Sequence, residues 1–405
     1  MKRRTIEMKL LGIGLISLLV ANMALYLLGI HYSPLSGDYD YLVYNILQHN
    51  GLVNPVDGIV YCKYPPLYPL FLSLQFIVAG FLHINATLVT TFTSILVQLF
   101  TAYFIYKISL KVFGIPNLAI LAFIIYLAFP QLFYFNFAPR SESIFNLVFY
   151  FTMYLYLTRD TYKEKIYLVF GFLLGIMMLL RPIAVVFVPV FIMVILFDRI
   201  SLLAKIRHMS VIIFLAFLVI LPWNLYIYQN WHRFVFLSTD GVPTMRDGFS
   251  FNSKSYRHQI HLDKNIKQLS DSFASQNNNI HTYGEIFNFL IKESKINSIG
   301  VIKFYLFKAG RSFYGLDSQD PKGELANMLV CIPLVLIFFA GIVFARADNV
   351  LFFNNLRLIS VFSVFGLWFT TITFFSILRY MTPTFGFMII MDSYFIYSLI
   401  DHKSN

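Results

Sequence analysis

Residues 166–197 read IYLVFGFLLGIMMLLRPIAVVFVPVFIMVILF, and Arg181 is the only charged residue among them. The apolar runs on either side of the Arg181-Pro182 pair approach the roughly 20 residues that a helix needs to cross the hydrocarbon core of a bilayer. The stretch therefore predicts two membrane-spanning helices, near 166–180 and 182–197, that meet at a tip carrying a positive charge.

The whole chain has the composition of a membrane protein. Of its 405 residues, 58% are hydrophobic and only 13% are charged, whereas a soluble chain carries about a quarter charged residues. The mean hydropathy is +0.69. The formal net charge of +11 fits Lys and Arg placed in short cytoplasmic loops. No loop interleaves a basic run with exposed aromatic residues, so nucleic-acid binding is not expected.

The hydropathy pattern predicts an all-α polytopic membrane protein with about ten transmembrane helices and with interfacial helices in two large outer loops. The chain divides into an N-terminal transmembrane module at 1–228, which contains the first outer loop at 31–85, an outer region at 229–325, and C-terminal transmembrane helices at 326–405. The predicted spans lie near 10–30, 86–106, 117–135, 141–158, 166–180, 182–197, 209–228, 326–345, 358–377 and 383–400.

The topology follows from the distribution of positive charge. Segment 65–84, PPLYPLFLSLQFIVAGFLHI, is apolar enough to span, yet if it spans, the downstream basic clusters lie outside, against the positive-inside rule. We therefore predict that it lies along the outer interface and that both termini are cytoplasmic. A plasma (inner) membrane location, with membrane lipids around the helices, is expected. The segment from Ser298 is amphipathic enough to lie on the membrane surface.

Charged residues converge on the outer face under this topology. Acids that accept a proton and cations that hold an anion are what a transfer reaction at a phosphate leaving group requires. Each also has an ordinary structural reading: an aspartate can cap a helix, a lysine can snorkel, and neighbouring opposite charges can form a weak surface pair. The candidates are Asp38, Asp40, Lys63, Arg140, Glu142, Arg181, Arg379 and Tyr380.

One group of histidines has a spacing that is found in metal sites. His258 and His261 in RHQIH have the spacing of one helix face, and His281 follows. No cysteine or nearby paired carboxylate completes a ligand set, so no metal site is predicted. No cofactor is assigned with certainty, and a divalent metal is not indicated.

Five local patterns resemble the C-type glycosyltransferase superfamily, specifically the bacterial branch of aminoarabinose transferases, which is related to the protein O-mannosyltransferases. The chain matches the order of these patterns in that superfamily. They are GDYDYLVYNILQHNG…YCKYPPLYPLFLSL, PRSESIFNLVFYF, GFLLGIMMLLRPIAVVFVP, LPWNLYIYQNWHRFVFLSTDG and LRYMTPTFGFMIIMDSYF.

The resemblance implies a donor sugar on a polyprenyl phosphate and an acceptor hydroxyl on a lipid, glycan or protein, with inversion at the sugar carbon. Asp38 looks like the catalytic carboxylate of the first loop, and Asp40 is the alternative. Glu142 looks like the acid of the second loop. Lys63 is similar to a phosphate-contacting lysine, although Tyr64 separates it from the Pro-Pro pair.

The remaining cations of the outer face, Arg140, Arg181 and Arg379 with its neighbour Tyr380, are the candidates for stabilising the departing phosphate. A polyprenyl-linked donor also accounts for the absence of a GxxxxGK[ST] motif and of cytoplasmic loops large enough for a nucleotide-binding domain.

Two other classes of function remain open at this point. A transporter or flippase for lipid-linked glycans would place ionisable residues at mid-membrane, and Asp392 is the main such residue in the predicted spans. A non-catalytic scaffold would not need acids clustered on one face. Release of a polyprenyl monophosphate distinguishes the enzyme from both alternatives.

Overall fold

The computed structural model of the chain describes residues 2–29, 39–53, 60–137, 140–159, 165–198, 200–232, 234–249, 262–276, 279–344 and 350–401. Within these residues the secondary structure is helical apart from a β-bridge between Val53 and Val60. The predicted all-α class is therefore confirmed for the part of the chain that the structure describes.

In the first half of the chain, the described residues form ten α-helices. They are α1 (Lys2–Leu27), α2 (Tyr39–Leu47), α3 (Leu67–Leu82), α4 (Ala86–Phe113), α5 (Pro116–Ala128), α6 (Pro130–Phe137), α7 (Ser141–Leu157), α8 (Ile166–Leu180), α9 (Phe187–Phe197) and α10 (Leu202–Trp231). The second half contains α11 (Gly241–Asp247), α12 (Lys264–Gln276), α13 (Tyr283–Ile296), α14 (Ser298–Arg311), α15 (Pro321–Phe344), α16 (Val350–Thr373) and α17 (Thr382–Asp401).

Several of these helices have the length and composition of membrane spans. Among the described residues six qualify on both criteria, namely α1, α4, α10, α15, α16 and α17. Shorter apolar helices include α3, α5, α8 and the stretch Pro182–Phe197. A multi-pass membrane protein is thus established, whereas the count of ten spans stays a prediction.

The predicted single span near 117–135 is wrong, because the structure divides it into α5 and α6. Phe129 lies between them in an extended conformation, with φ −69° and ψ 118°, and Pro130 begins α6. Proline disfavours the helical conformation in the residue before it, so the Phe129-Pro130 pair ends the first helix. The hydropathy of the segment does not show this break.

Helices α8 and α10 pack closely through two glycines. A Cβ added to Gly171 would lie 2.7 Å from the backbone oxygen of Ile212, and one added to Gly175 would lie 2.5 Å from Cβ of Val219. Small residues four apart let two helix backbones approach in a membrane, where dispersion contacts replace the hydrophobic effect as the driving force. This contact fixes the position of the α8 C-terminus, which leads directly into Arg181.

The helices α11 to α14 form a second, smaller core beside the main bundle. The rings of Phe249 and Phe273 stack with centroids 4.7 Å apart, and Phe249 and Phe304 stack at 5.0 Å. All three side chains are buried. These helices lie within residues 229–325, the region predicted to be outside, and we refer to α11–α14 as the outer layer; their side of the membrane stays a prediction.

We predict that Gly175→Ala lowers the thermal stability of the detergent-purified protein. The added methyl group would overlap Val219, and overpacking of this kind costs about 1–3 kcal/mol. Gly80→Ala is the matched control, because a Cβ at Gly80 has no neighbour within 4 Å. Equal unfolding temperatures for the two variants would show that the α8–α10 contact tolerates separation.

Candidate functional site

Three charged side chains from distant parts of the chain meet where several helices end. Glu142 lies in the first turn of α7, Arg181 lies between α8 and α9, and Arg379 lies in the short turn Leu378–Tyr380 before α17. Nη2 of Arg181 is 3.1 Å from Oε1 of Glu142, and Nε of Arg379 is 3.6 Å from the same oxygen. One carboxylate oxygen therefore contacts two guanidinium groups.

Because the charges of this cluster are buried, each depends on its partner for compensation. Glu142 is 3% exposed and Arg181 is 6% exposed, so their charges are largely removed from water. Removing one partner of a buried ion pair costs about 3–5 kcal/mol, because it leaves a buried charge without compensation. The contact therefore holds the start of α7 against the tip of α8.

Two guanidinium groups share the one buried carboxylate of the site. Nη1 of Arg181 and Nε of Arg379 are buried and have no hydrogen-bond partner among the residues that the structure describes. Buried N–H groups without acceptors are costly, and a planar guanidinium matches the oxygens of a phosphate or carboxylate. The geometry is that of a site for an anion.

The aromatic ring of Tyr380 lies beside both arginines. The Arg181 and Arg379 guanidinium carbons each lie 5.3 Å from the centre of its ring, and Arg181 also lies 6.0 Å from the ring of Phe145. Cation–π contacts at this distance favour the charged form and fix the planes of the guanidinium groups. We call Glu142, Arg181, Arg379 and Tyr380 the charged site.

Aromatic rings connect Lys63 to the charged site. Nζ of Lys63 lies 5.2 Å from the ring centre of Tyr64, which stacks on Tyr39 at 4.9 Å. The Tyr39 ring packs edge-on against Tyr68 at 5.0 Å. Burial raises the pKa of Tyr39, and the negative charge of Glu142 adds to this effect. The hydroxyl of Tyr39 therefore stays protonated beside the charged site.

Two acids that sequence reasoning missed face Lys63 from the outer layer. The backbone N–H of Thr239 donates to the carbonyl of Cys62 at 2.9 Å, which places the next residue of each segment, Asp240 and Lys63, side by side. Burial raises the pKa values of Asp240 and Asp247, and the charge of Lys63 opposes this effect at both. Nothing in the local sequence marks these acids, because they lie in a polar segment.

Arg311 is a third residue near the site that sequence reasoning missed. It is fully buried at the end of α14, where Nη1 donates to the carbonyl of Ser376 at 2.9 Å and Nη2 donates to the carbonyl of Leu316 at 2.7 Å. Nη2 also contacts Oε1 of Glu324 at 2.6 Å. One guanidinium thus joins the segment after α14 to the segment after α16.

These two segments carry an ion pair at the edge of the charged site. The N–H of Leu378 donates to the carbonyl of Gly315 at 2.8 Å, and Nη1 of Arg379 lies 3.0 Å from Oδ2 of Asp317. The side chain of Asp317 is 47% exposed. An exposed carboxylate therefore contacts Nη1 of Arg379, and its negative charge opposes the approach of an anion to this guanidinium.

Within the described residues, neither first-loop acid lies in the charged site. Asp38 lies outside the described residues, and Asp40 is exposed in the first turn of α2. Arg140 precedes α7 and lines a cavity of about 10 Å³ together with Tyr68 and Gln75, a volume near that of one water molecule. Glu142, Arg181, Arg379 and Tyr380 are thus the predicted residues that the structure brings into contact.

The histidine pattern lies mostly outside the described residues. His258 and His261 belong to the segment that the structure does not describe, and His281 is exposed before α13. Within the described ranges, three or more His, Cys, Asp or Glu side chains do not come together in a group that could hold a metal ion.

The fold and the charged site define a class: a multi-pass helical membrane protein with a cluster of charged side chains at the ends of its helices. Residues 63–226 match the family model described as dolichyl-phosphate-mannose-protein mannosyltransferase, which confirms over that part of the chain the resemblance predicted above. The match indicates a membrane glycosyltransferase that uses a lipid-linked sugar. No curated protein and no solved structure matches the chain in these comparisons.

The matched region contains part of the site. Lys63, Arg140, Glu142 and Arg181 lie within residues 63–226, whereas the first-loop aspartates and the segment around Arg379 lie outside it. The contact between Arg379 and Glu142 is therefore known from the structure alone, because Arg379 lies outside the matched residues.

We predict that Asp317→Asn increases the affinity of the detergent-purified protein for a short-chain polyprenyl phosphate by about two- to fivefold. The substitution removes a charge that competes for Arg379, and exposed ion pairs of this kind contribute up to about 1 kcal/mol. Isothermal titration calorimetry measures the change.

Asp271→Asn provides the control, because Asp271 is an exposed acid on α12 and its replacement changes the net charge equally. Tighter binding in both variants would indicate a general charge effect. Weaker binding in Asp317→Asn would make Asp317 part of the anion site instead of a competitor for it.

Proposed function

We propose that the protein transfers a sugar from a polyprenyl-phosphate donor to an acceptor hydroxyl at the outer face of the membrane, with inversion at the anomeric carbon. The observation that carries this proposal is the pair of guanidinium groups on one buried carboxylate, in which Nη1 of Arg181 and Nε of Arg379 are buried and have no hydrogen-bond acceptor among the described residues. The family match over residues 63–226 supports the class of reaction.

The donor phosphate is placed at the charged site in this proposal. Arg181 and Arg379 contact the phosphate oxygens, and Arg140 and Lys63 add positive charge from the neighbouring segments. Negative charge on the phosphate grows as its bond to the sugar breaks, and preorganised cations in a site shielded from water stabilise that change most strongly. The departing group is a polyprenyl monophosphate.

A second cavity, lined mainly by apolar residues, offers room for the lipid part of the donor in this proposal. It has a volume of about 500 Å³, and its walls come from α3, α8 and α10, including Leu70, Leu179 and Trp223. Leu179 lies two residues before Arg181 in the sequence. We place the polyprenyl chain in this cavity and its phosphate at the arginines.

An aspartate of the first loop acts as the general base in this proposal, and Asp38 is favoured over Asp40. The carboxylate takes the proton of the acceptor hydroxyl while the oxygen attacks the anomeric carbon. The electrons of the broken carbon–oxygen bond leave with the phosphate. A positioned carboxylate contributes about 10²–10⁴-fold to such a step.

Glu142 has a different role from the first-loop acids in this scheme. Its carboxylate contacts two guanidinium groups, and opposite charges nearby hold a carboxylate in its ionised form and make it a weak base. We assign to Glu142 the orientation of Arg181 and Arg379 for the donor phosphate. The acceptor is a hydroxyl of a lipid, a glycan or a protein.

Asp38→Asn tests the assignment of the base. The expected result is a fall in turnover of about 10²–10⁴-fold, because the amide keeps the size and hydrogen-bonding capacity of the side chain but cannot accept the proton. Turnover is measured as release of polyprenyl monophosphate with the donor in excess. Binding of the donor should be unchanged.

Asp40→Asn is the internal control, since it removes the same charge two residues away. An active Asp38→Asn variant beside an inactive Asp40→Asn variant would move the base to Asp40. Full activity in both variants would contradict the proposed mechanism, because a helix cap survives the change to asparagine and a general base does not.

A further inference from the structure

A small cavity lies between α3, α4 and the first turn of α7. Its volume is about 10 Å³. The polar residues that line it include Tyr68 and Gln75 of α3, and Arg140 and Ser143 at the start of α7. Apolar side chains of the three helices, Val97 of α4 among them, form the rest of the wall. The cavity is therefore small and partly polar.

Three polar atoms around this cavity have no hydrogen-bond partner among the described residues. They are Oη of Tyr68, Oε1 of Gln75 and Oγ of Ser143, and all three are buried. Buried polar groups in proteins are nearly always hydrogen-bonded, and those without a protein partner usually bond to an ordered water. Three such atoms around one cavity therefore indicate a ligand that both accepts and donates hydrogen bonds.

Other buried hydroxyl groups of the same two helices bond within the protein. Ser73 of α3 donates to the carbonyl of Pro69 at 2.9 Å, the bond that a helical serine commonly forms with the residue four positions earlier. The hydroxyl of Tyr150 in α7 donates to a backbone carbonyl of α17. Ser143 lies in the first turn of α7, so the residue four positions before it is outside the helix. The hydroxyls of Ser143 and Tyr68 face the cavity instead.

The size and the charge of the cavity identify the ligand. A cavity of about 10 Å³ holds one water molecule and is too small for a phosphate group. Arg140 on the same wall opposes a metal cation by charge repulsion. Tyr68 and Ser143 can each donate to a water oxygen, and the water can donate to Oε1 of Gln75. Three polar partners are the number that buried waters typically have.

A water at this position joins α3 to the turn that carries Glu142. Within the described residues, α3 packs mainly on α2, α4 and α8 and has little direct contact with α7. Ser143 follows Glu142 directly in the sequence, and the ring of Tyr68 packs edge-on against Tyr39 at 5.0 Å. The water thus adds a hydrogen-bonded link between two helices that otherwise contact each other little.

We propose that the cavity between α3, α4 and α7 is a binding site for one structural water molecule, held by Tyr68, Gln75 and Ser143. The water accepts hydrogen bonds from the two hydroxyl groups and donates one to the glutamine oxygen. The proposal concerns the attachment of α7 to α3 and does not depend on the reaction that the charged site performs.

Thermal unfolding of the detergent-purified chain distinguishes a bound water from a dry cavity. Gln75→Met and Ser143→Ala each remove one partner of the water. If the water is bound, each variant leaves it with an unmet hydrogen bond, and the unfolding temperature falls by about 1–4 °C. If the cavity is dry, each variant removes a buried polar group that has no partner, and the unfolding temperature rises. A rise would overturn the proposal.

The double variant and a matched serine complete this test. Both substitutions act through one water, so the Gln75→Met/Ser143→Ala variant should lose less than the sum of the two single losses. Ser109→Ala is the control, because Oγ of Ser109 is also buried without a partner among the described residues but does not line this cavity. Its unfolding temperature should stay constant or rise. A fall as large as that of Ser143→Ala would contradict the proposal.

A cryo-EM map of the unmodified protein, at a resolution that shows ordered waters, tests the site directly. The expected result is one isolated peak within hydrogen-bond distance of Oη of Tyr68, Oε1 of Gln75 and Oγ of Ser143. A map with clear water peaks elsewhere in the protein and none in this cavity would overturn the proposal.

Discussion

The contact of Glu142 with both Arg181 and Arg379 is the interaction on which the arrangement of the helix ends depends. Its three members come from the start of α7, the end of α8 and the turn before α17. Because the carboxylate is almost fully buried, none of the three segments can move away without leaving an uncompensated charge. Glu142 is the buried carboxylate shared by the two guanidinium groups, and the exposed Asp317 contacts Arg379 from the other side.

The outer layer is attached to this contact through a second buried arginine. Arg311 donates hydrogen bonds to the carbonyls of Ser376 and Leu316. It therefore fixes the two connecting segments that carry Arg379 and Asp317. Lys308, one turn earlier, donates to the carbonyl of Phe374 at 2.8 Å, and burial lowers its pKa well below that of an ordinary lysine. The geometry of the pocket is therefore set jointly by the membrane helices and by the outer layer.

Sequence reasoning identified Glu142, Arg181 and Arg379 because charges are rare in apolar sequence and are usually functional there. It did not single out Asp240, Arg311 and Asp317, since only long-range folding brings each of them to the site. Hydropathy likewise predicted a helical membrane protein but not the break at Phe129. That break depends on the conformational preference of one Phe-Pro pair, which average hydropathy does not register.

The central claim is that the free N–H groups of the charged site bind the phosphate of a lipid donor. Arg181→Lys tests it most directly, because lysine keeps the positive charge beside Glu142 but lacks the planar second nitrogen. The account predicts that the affinity for polyprenyl monophosphate, measured by titration calorimetry, falls about 10- to 100-fold, as expected for one hydrogen bond to a charged group, while the unfolding temperature changes little. Unchanged affinity in a folded Arg181→Lys variant would contradict it.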